Sequence, residues 1–277
     1  MAFLRGMLEL LNTQMDAVPQ PWGAFHVVSL VLSVLAGLAL CWWMRNPSQR
    51  QVRRVVLIVT LTVILLEIYK QVVYTFGDGT GDPSYMWYAF PWQFCSTPMY
   101  IGFLAGIFRK GRIHNALCAY LATYAVFAGL AVMIYPGDVF IATTGINFQT
   151  VVCHGSMVVI GAYLYSSGHV ELKFRTVLKA MPVFAICLTM AVLMNEHAYQ
   201  VGLLEEHNFN MFYVSSHLES TLPVYGTIHN AVPFPVNLII YILGFTAAAT
   251  IILMIAMGFR ALARRTHRGN KTAVEAE

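Results

Sequence analysis

Seven apolar stretches, each about as long as a membrane-crossing helix of roughly 20 residues, dominate this sequence. They cover residues 24–43, 55–75, 91–108, 114–134, 146–165, 175–195 and 236–258. The chain is 58% hydrophobic and 11% charged, whereas soluble domains carry about 25% charged residues. The pattern predicts an all-α, polytopic membrane protein with seven transmembrane helices. It excludes a soluble enzyme and gives no basic surface for nucleic acid.

The basic residues alternate between connections, and this alternation predicts the topology. One set of connections holds Arg45, Arg50, Arg53, Arg54, Arg109, Lys110, Arg112, Lys173, Arg175, Lys179, Arg260, Arg264, Arg265, Arg268 and Lys271. The other set holds Asp78, Asp82, Asp138, Glu196, Glu205, Glu206 and Glu219, and has no Lys or Arg. Cytoplasmic connections are enriched in Lys and Arg. We therefore expect the N-terminus outside and the C-terminus in the cytoplasm, which requires an odd number of crossings.

Three segments follow from the same reading of hydropathy and charge. Residues 1–20 place apolar side chains at roughly helical spacing between charged ones, which is typical of an interfacial helix; a disordered tail is the alternative. Residues 24–258 form the transmembrane domain. Within it, the aromatic-rich loop 196–235 is expected to be a partly helical outer cap. Residues 259–277 form a basic cytoplasmic tail.

Three reactive or ionisable side chains fall inside the predicted spans, namely Glu67, Cys95 and His154. Such groups are expensive in lipid and are functional candidates by default. At about 1.5 Å per residue, all three lie in the outer half of the membrane. A cysteine with a neutral imidazole beside it is the minimum set for acyl transfer. We therefore predict that Cys95 is a nucleophile and that His154 is its base.

Supporting groups are expected around this pair. Glu67 or Asn147 would orient the imidazole, as a third group does in other nucleophile–base pairs. Gln93, Ser96 or amides freed near Pro91 would bind a developing oxyanion. Two simpler readings stay open. Cys95 can be a packed apolar side chain, and Glu67 can pair with Lys70 one turn along its helix.

The remaining cysteines and histidines predict no further chemistry. Cys153 points about 100° away from His154 around a helix, which makes it a poor partner. Buried cysteines usually act as small apolar side chains, and we expect this of Cys41, Cys118 and Cys187. The spacing of His197, His207, His217 and His229 matches no standard metal site. No metal and no cofactor are expected.

The order of three short motifs resembles one family. The motifs are Phe90-Pro-Trp-Gln-Phe-Cys95, Cys153-His-Gly155 and Asn210-Met-Phe212. They look like those of the YwaF-like integral membrane proteins of bacteria and their animal relative, a transmembrane acyltransferase that makes plasmalogens. The resemblance implies a cysteine nucleophile, a histidine partner, a supporting role for Asn210 and a place in the bacterial cytoplasmic membrane. One position departs from the family pattern, since Gln93 stands where the family has a His.

Together these observations predict a cysteine-dependent acyltransferase or thioesterase that moves a fatty acyl chain between phospholipid and lysophospholipid. Two alternatives remain. One is a proton-coupled small-molecule transporter that uses Glu67 and His154 as a relay, although the sequence shows no inverted repeat. The other is a lipid-binding membrane protein without catalysis, in which Cys95 and His154 could be replaced harmlessly. The sequence leaves the oligomeric state open.

Overall fold

The computed structural model describes residues 2–77, 83–137, 139–204, 208–229 and 231–274, and these residues form helices joined by turns. The helices are α1 (Ala2–Leu11), α2 (Ala24–Trp43), α3 (Gln49–Phe76), α4 (Thr97–Ile107), α5 (Arg112–Ala122), α6 (Tyr124–Ile134), α7 (Thr144–Ser166), α8 (Arg175–Gln200), α9 (Tyr225–His229) and α10 (Phe234–Val274). Two 3-10 turns add Trp87–Ala89 and Met211–Tyr213. The all-α prediction is confirmed. The predicted Asp78, Asp82, Asp138, Glu205, Glu206 and His207 lie outside the described residues.

Six helices of the described chain are long and apolar enough to cross a membrane. They are α2, α3, α5 with α6, α7, α8 and the part of α10 from Phe234 to Arg264. The seventh predicted span, 91–108, contains only the eleven residues of α4, which is about 16 Å of helix against a hydrocarbon core of about 30 Å. The prediction of seven spanning helices is therefore confirmed only in part, because hydropathy detects apolar chain and not continuous helix.

Proline explains why α4 starts late. Pro98 lies in its first turn, where a missing N–H costs nothing and the fixed φ favours helix initiation. Residues 91–96, which include Pro91, form turns instead.

Segment 91–108, which begins as turns and continues as α4, runs beside most of α3. At one end the Gln71 side chain donates to the Ala89 carbonyl at 3.1 Å, and at the other the Arg53 guanidinium reaches the Ile107 carbonyl at 3.5 Å. Gln71 and Arg53 are about 27 Å apart along a helix. Turn and helix together thus cover nearly the depth of a membrane, antiparallel to α3.

The N-terminal segment docks against the ends of α3 and α7. The Tyr69 hydroxyl donates to the Leu11 carbonyl at 2.7 Å, and Asn12 donates to the Gly77 carbonyl at 2.7 Å. A single antiparallel bridge joins Gln14 to Thr143. The predicted segment 1–20 therefore contains a helix and an ordered contact; its location in the membrane interface stays a prediction.

The loop that follows α8 turns into the bundle. α8 continues five residues past the predicted end of its span, to Gln200. Phe212 is fully buried and packs against Phe94 at a centroid distance of 5.6 Å. The described part of the predicted cap 196–235 thus contributes to the core. At the other end, α10 continues to Val274, so the predicted tail 259–277 begins as helix.

Candidate functional site

Cys95 lies in the turn that precedes α4, where the backbone is irregular. The side chain is partly buried, and the Ser96 hydroxyl lies against its sulfur. Ser96 is the N-cap residue of α4 but makes no side-chain cap bond. In the described part of the chain, no backbone carbonyl accepts a hydrogen bond from the amides of Phe94 and Cys95. The Cys95 amide lies against its own sulfur, so the turn brings together a thiol, a hydroxyl and the Phe94 amide donor.

A buried ion pair on α3 faces this turn. Lys70 Nζ lies 2.8 Å from Glu67 Oε1, and their side chains are 15% and 9% exposed. Gln71 donates to the same carboxylate at 2.7 Å, and Gln149 on α7 donates to it at 3.2 Å. Gln149 also reaches Cys153 Sγ at 3.3 Å. Every one of these polar groups thus has a partner, as buried groups require.

Electrostatics link the ion pair to the reactive side chains. Cys95 and Cys153 are each within electrostatic range of Lys70, Glu67 or both, and of each other. Lys70 also acts on His154. The ammonium of Lys70 is therefore the charge that these three side chains share.

Tyr85 closes the outer side of this cluster from the loop before α4. Its hydroxyl donates to the Gln71 amide oxygen at 2.5 Å. Burial, with the Glu67 carboxylate nearby, raises the pKa of Tyr85 to about 12. The phenol therefore keeps its proton and remains a hydrogen-bond donor at neutral pH.

His154 is buried on α7 with one ring nitrogen satisfied and the other free. Nδ1 lies 2.7 Å from the Thr150 carbonyl, which can only accept, so Nδ1 carries the proton and Nε2 carries the lone pair. Nε2 has no hydrogen-bond partner among the described residues. An unpartnered buried nitrogen is uncommon, and this one is in the protonation state that a general base needs.

The predicted neighbours of His154 are not bonded to it. The orienting group is the Thr150 carbonyl, whereas Glu67 bonds Lys70, Gln71 and Gln149. Asn147 instead bonds both backbone groups of Ile141. No hydrogen bond joins Cys95 to His154 in the described chain, so their pairing stays a prediction.

Gln93 and Asn210 have structural contacts that sequence alone did not specify. Gln93 donates to the Asn210 carbonyl at 3.0 Å and accepts from the Phe212 amide at 2.9 Å. Asn195 on α8 makes two bonds to the backbone of Met211, at 2.7 and 2.9 Å. The two amide side chains hold the 3-10 turn in place, with Phe212 packed on Phe94, the residue before Cys95. Phe212 needs this support because its φ is +58°, a strained value for a residue with a side chain.

A cleft of about 420 Å³ opens beside the ion pair. It is lined by Ile64, Glu67, Ile68, Gln71, Val72, Thr75, Phe76, Pro91, Met99 and Tyr100. Pro91 and Met99 lie four residues before and after Cys95. Ile68 is 55% exposed, so the cleft opens on the outward face of α3. An apolar groove with a carboxylate and an amide in its lining suits an amphipathic ligand.

Several residues here were not singled out by the sequence. Lys70 was weighed only as a partner of Glu67, although a lysine within an apolar helix is itself a signal. Gln149 and Asn195 gave no such signal. A neutral amide in an apolar helix can be linked to a site only once its contacts are known. A second cluster was also missed: the ligand atoms of His114, Cys118 and His169 lie within 4.8 Å of one another and could hold a metal ion.

The family of this chain follows from a match to a family model. The model of the TMEM164 family matches residues 21–257, so this protein belongs to the TMEM164 family of transmembrane proteins. Comparison with curated proteins and with solved structures finds no match. With the six apolar helices, family membership makes this an integral membrane protein.

Proposed function

We propose that this member of the TMEM164 family is a membrane-embedded acyltransferase that uses Cys95 to move a fatty acyl chain from a phospholipid to a lysophospholipid. The observation that carries the proposal is the position of Cys95. Its thiol lies in an unwound turn within range of a buried ion pair, and Pro91 and Met99, four residues before and after it in sequence, line the cleft beside that pair. A cysteine that only fills space needs none of these features.

The cleft supplies the substrate site in this proposal. An acyl chain lies along the apolar side chains of α3, such as Ile64 and Ile68, and the ester group reaches the polar end at Glu67 and Gln71. A lipid can enter sideways because Ile68 is exposed on the outer surface of the helix. This placement puts the ester carbonyl close to the turn that carries Cys95.

The first half of the reaction forms a thioester. His154 Nε2 takes the thiol proton, and the thiolate attacks the ester carbonyl. The C–O bond then breaks, and the imidazolium returns the proton to the departing lysophospholipid. Catalytic hydrogen bonds often form only when substrate binds, and the free lone pair on Nε2 supports this role.

The second half releases the acyl group. The hydroxyl of a lysophospholipid, or a water molecule, gives its proton to His154 and attacks the thioester. The thiolate departs and recovers the proton. Transfer and hydrolysis therefore differ only in the nucleophile that enters the cleft.

The negative charge that develops on the carbonyl oxygen needs fixed donors. The Phe94 amide, which has no backbone acceptor among the described residues, and the Ser96 hydroxyl supply them in this proposal. Lys70 adds a positive charge within range of both Cys95 and His154. Glu67 holds the Lys70 ammonium in place, which is its supporting role.

The topology of the proposal follows the charge distribution. The interrupted segment 91–108 counts as a crossing, so the chain crosses seven times with the N-terminus outside. The site then faces the outer leaflet of what the family resemblance indicates is a bacterial cytoplasmic membrane. Accessibility labelling of single cysteines introduced at Thr13 and Ala261 tests this arrangement, because only the first should react from outside.

The direct test is acyl transfer by purified protein in liposomes that contain a labelled diacyl phospholipid and an unlabelled lysophospholipid. Wild-type protein should move label to the lysophospholipid, and Cys95→Ala should not. Cys41→Ala is the matched control, because Cys41 lies on α2 and contacts Ser166 instead of the site. Transfer that persists in Cys95→Ala at the wild-type rate would end the proposal.

A proton-coupled transporter is the second candidate, and the buried Glu67–Lys70 pair favours it. A transporter should carry substrate flux that depends on a pH gradient and is lost in Glu67→Gln. That flux should survive Cys95→Ala. A pH-dependent flux that is lost in Cys95→Ala would contradict the transporter, since its relay does not use the thiol.

A further inference from the structure

We propose that His114, Cys118 and His169 form a binding site for a thiophilic transition-metal ion, Zn²⁺ or Cu⁺, separate from the Cys95 site. His114 and Cys118 are four residues apart on α5 and so share one face of the helix. His169 comes from the turn that follows α7. Two imidazoles and a thiolate are the donor set that these ions prefer.

Distances support a common ligand for the three side chains. Cys118 Sγ lies 3.6 Å from His114 Nε2, and His114 Nε2 lies 2.7 Å from His169 Nε2. Ideal tetrahedral bonds of about 2.0–2.1 Å to nitrogen and 2.3 Å to sulfur place S and N about 3.6 Å apart and two N atoms about 3.3 Å apart. The S–N distance already fits. The two imidazoles need to separate by about 0.6 Å to fit as well.

The protonation state of His114 fits a ligand. Its Nδ1 lies 3.1 Å from the Ala105 carbonyl, and a carbonyl accepts only, so Nδ1 holds the hydrogen. Nε2 therefore carries a lone pair, which accepts a hydrogen bond from His169 Nε2–H in this structure and would bind the metal when His169 moves its hydrogen to Nδ1. Metal-binding histidines usually donate their second N–H to a carbonyl or carboxylate in this way.

Burial also separates this cluster from ordinary surface histidines. His114 is 3% exposed and Cys118 is 2% exposed. His169 is half-buried and its ring lies against that of His114, with the ring centroids 5.0 Å apart. Metal binding would release the thiol proton of Cys118 to solvent as the metal–sulfur bond forms.

Local charge bears on which ion binds. The Arg53 guanidinium is within electrostatic range of His114. One thiolate leaves Zn²⁺ with a net charge of +1 and leaves Cu⁺ neutral. A nearby positive charge disfavours the site with net charge +1 more than the neutral one. The experiment therefore measures the binding of each ion separately.

The test begins with metal analysis of purified wild-type protein after separate incubation with Zn²⁺ and with Cu⁺ under reducing conditions, followed by desalting. Wild type should retain about one ion per chain. His169→Ala should retain far less metal. Removing a residue that only hydrogen-bonds a ligand lowers metal affinity about 10–100-fold, so removing a ligand should lower it at least as much. His197→Ala, an exposed histidine on α8, is the matched control and should retain the wild-type amount.

Cobalt gives a second readout, and its first measurement uses wild-type protein alone. Co²⁺ added to metal-free wild type should produce a thiolate-to-cobalt charge-transfer band. Cys118→Ser should lack this band, and Cys41→Ser should keep it. Wild-type protein that retains neither metal and shows no band would overturn the proposal, and so would a band that persists in Cys118→Ser. Lipid transfer is not measured, so failure here leaves the proposed function untouched.

Discussion

Glu67 and Lys70 form an ion pair of 2.8 Å within an apolar helix, and the pair lies within electrostatic range of Cys95. The sequence presented two alternatives, in which Glu67 either paired with Lys70 or belonged to the site. The structure shows the pairing, and Glu67 also lines the cleft; its part in a functional site is our proposal. Each charge makes the other tolerable at this depth.

Removal of one charge of the pair should therefore be costly. Glu67→Gln keeps one acceptor oxygen for Gln71 or Gln149, turns the other into an amide donor, and leaves the Lys70 ammonium without its counter-charge. Breaking a buried pair costs about 3–5 kcal/mol. We expect the variant to unfold at lower denaturant concentration in detergent micelles. The double variant Glu67→Gln/Lys70→Gln should recover much of the loss, and no recovery would contradict the pairing argument.

Gln93 should act by holding the 3-10 turn. Gln93→Leu leaves the Phe212 amide without its acceptor, at about 1–3 kcal/mol, and removes one of two donors to the Asn210 carbonyl, which keeps the Tyr213 amide. The 208–229 segment should then be cut faster in limited proteolysis. Gln93→His, which keeps a polar ring at this position, should be cut more slowly than Gln93→Leu. Equal cutting in all three proteins would refute the role, with the exposed Gln200→Leu as control.

Gly129 is needed for close packing between α6 and α7. A Cβ there would lie 2.5 Å from the His154 carbonyl oxygen and 2.9 Å from Met157 Cβ. Gly129→Ala should cost about 1–3 kcal/mol because the helices must move apart. The control is Gly244→Ala on α10, where a Cβ meets nothing within 4 Å. That change should be neutral or gain up to about 1 kcal/mol in thermal unfolding; similar losses at both positions would argue against the packing account.

The cleft on α3 should govern substrate affinity. Val72→Trp fills part of it and should raise KM for a diacyl phospholipid about tenfold, equivalent to about 1.4 kcal/mol of binding. The kcat should change little because Val72 is not among the reacting groups. Val31→Trp on the lipid-facing side of α2 serves as control, since Val31 is 51% exposed. An unchanged KM in Val72→Trp would place the substrate elsewhere.

Much of the fold could be predicted because burial in lipid requires long apolar helices. The six helices long enough to cross occur where hydropathy put them. The third predicted span could not be resolved in this way. Its apolar residues continue from Pro91 to Phe108, yet the chain is helical only after Ser96. Irregular backbone is tolerated at this depth when other parts of the protein cover it, and sequence does not reveal that cover.

The sequence predicted the reactive residues of the candidate site but not their partners. Glu67, Cys95 and His154 were conspicuous because they are reactive or ionisable in apolar segments. Their partners are set by rotation of the helices about their axes. That rotation directs Gln149 and Cys153 towards Glu67 and gives His154 the Thr150 carbonyl. For the same reason the sequence treated Cys118 as packing, although His114 and His169 lie beside it.

The central claim is that Cys95 carries an acyl group. Intact-protein mass spectrometry after incubation with a diacyl phospholipid tests it most directly. The account predicts an acyl-sized mass gain in wild type and in Cys153→Ala, removed by hydroxylamine and absent in Cys95→Ala. A gain that persists in Cys95→Ala, or acyl transfer by wild type without any adduct in rapidly quenched samples, would contradict it.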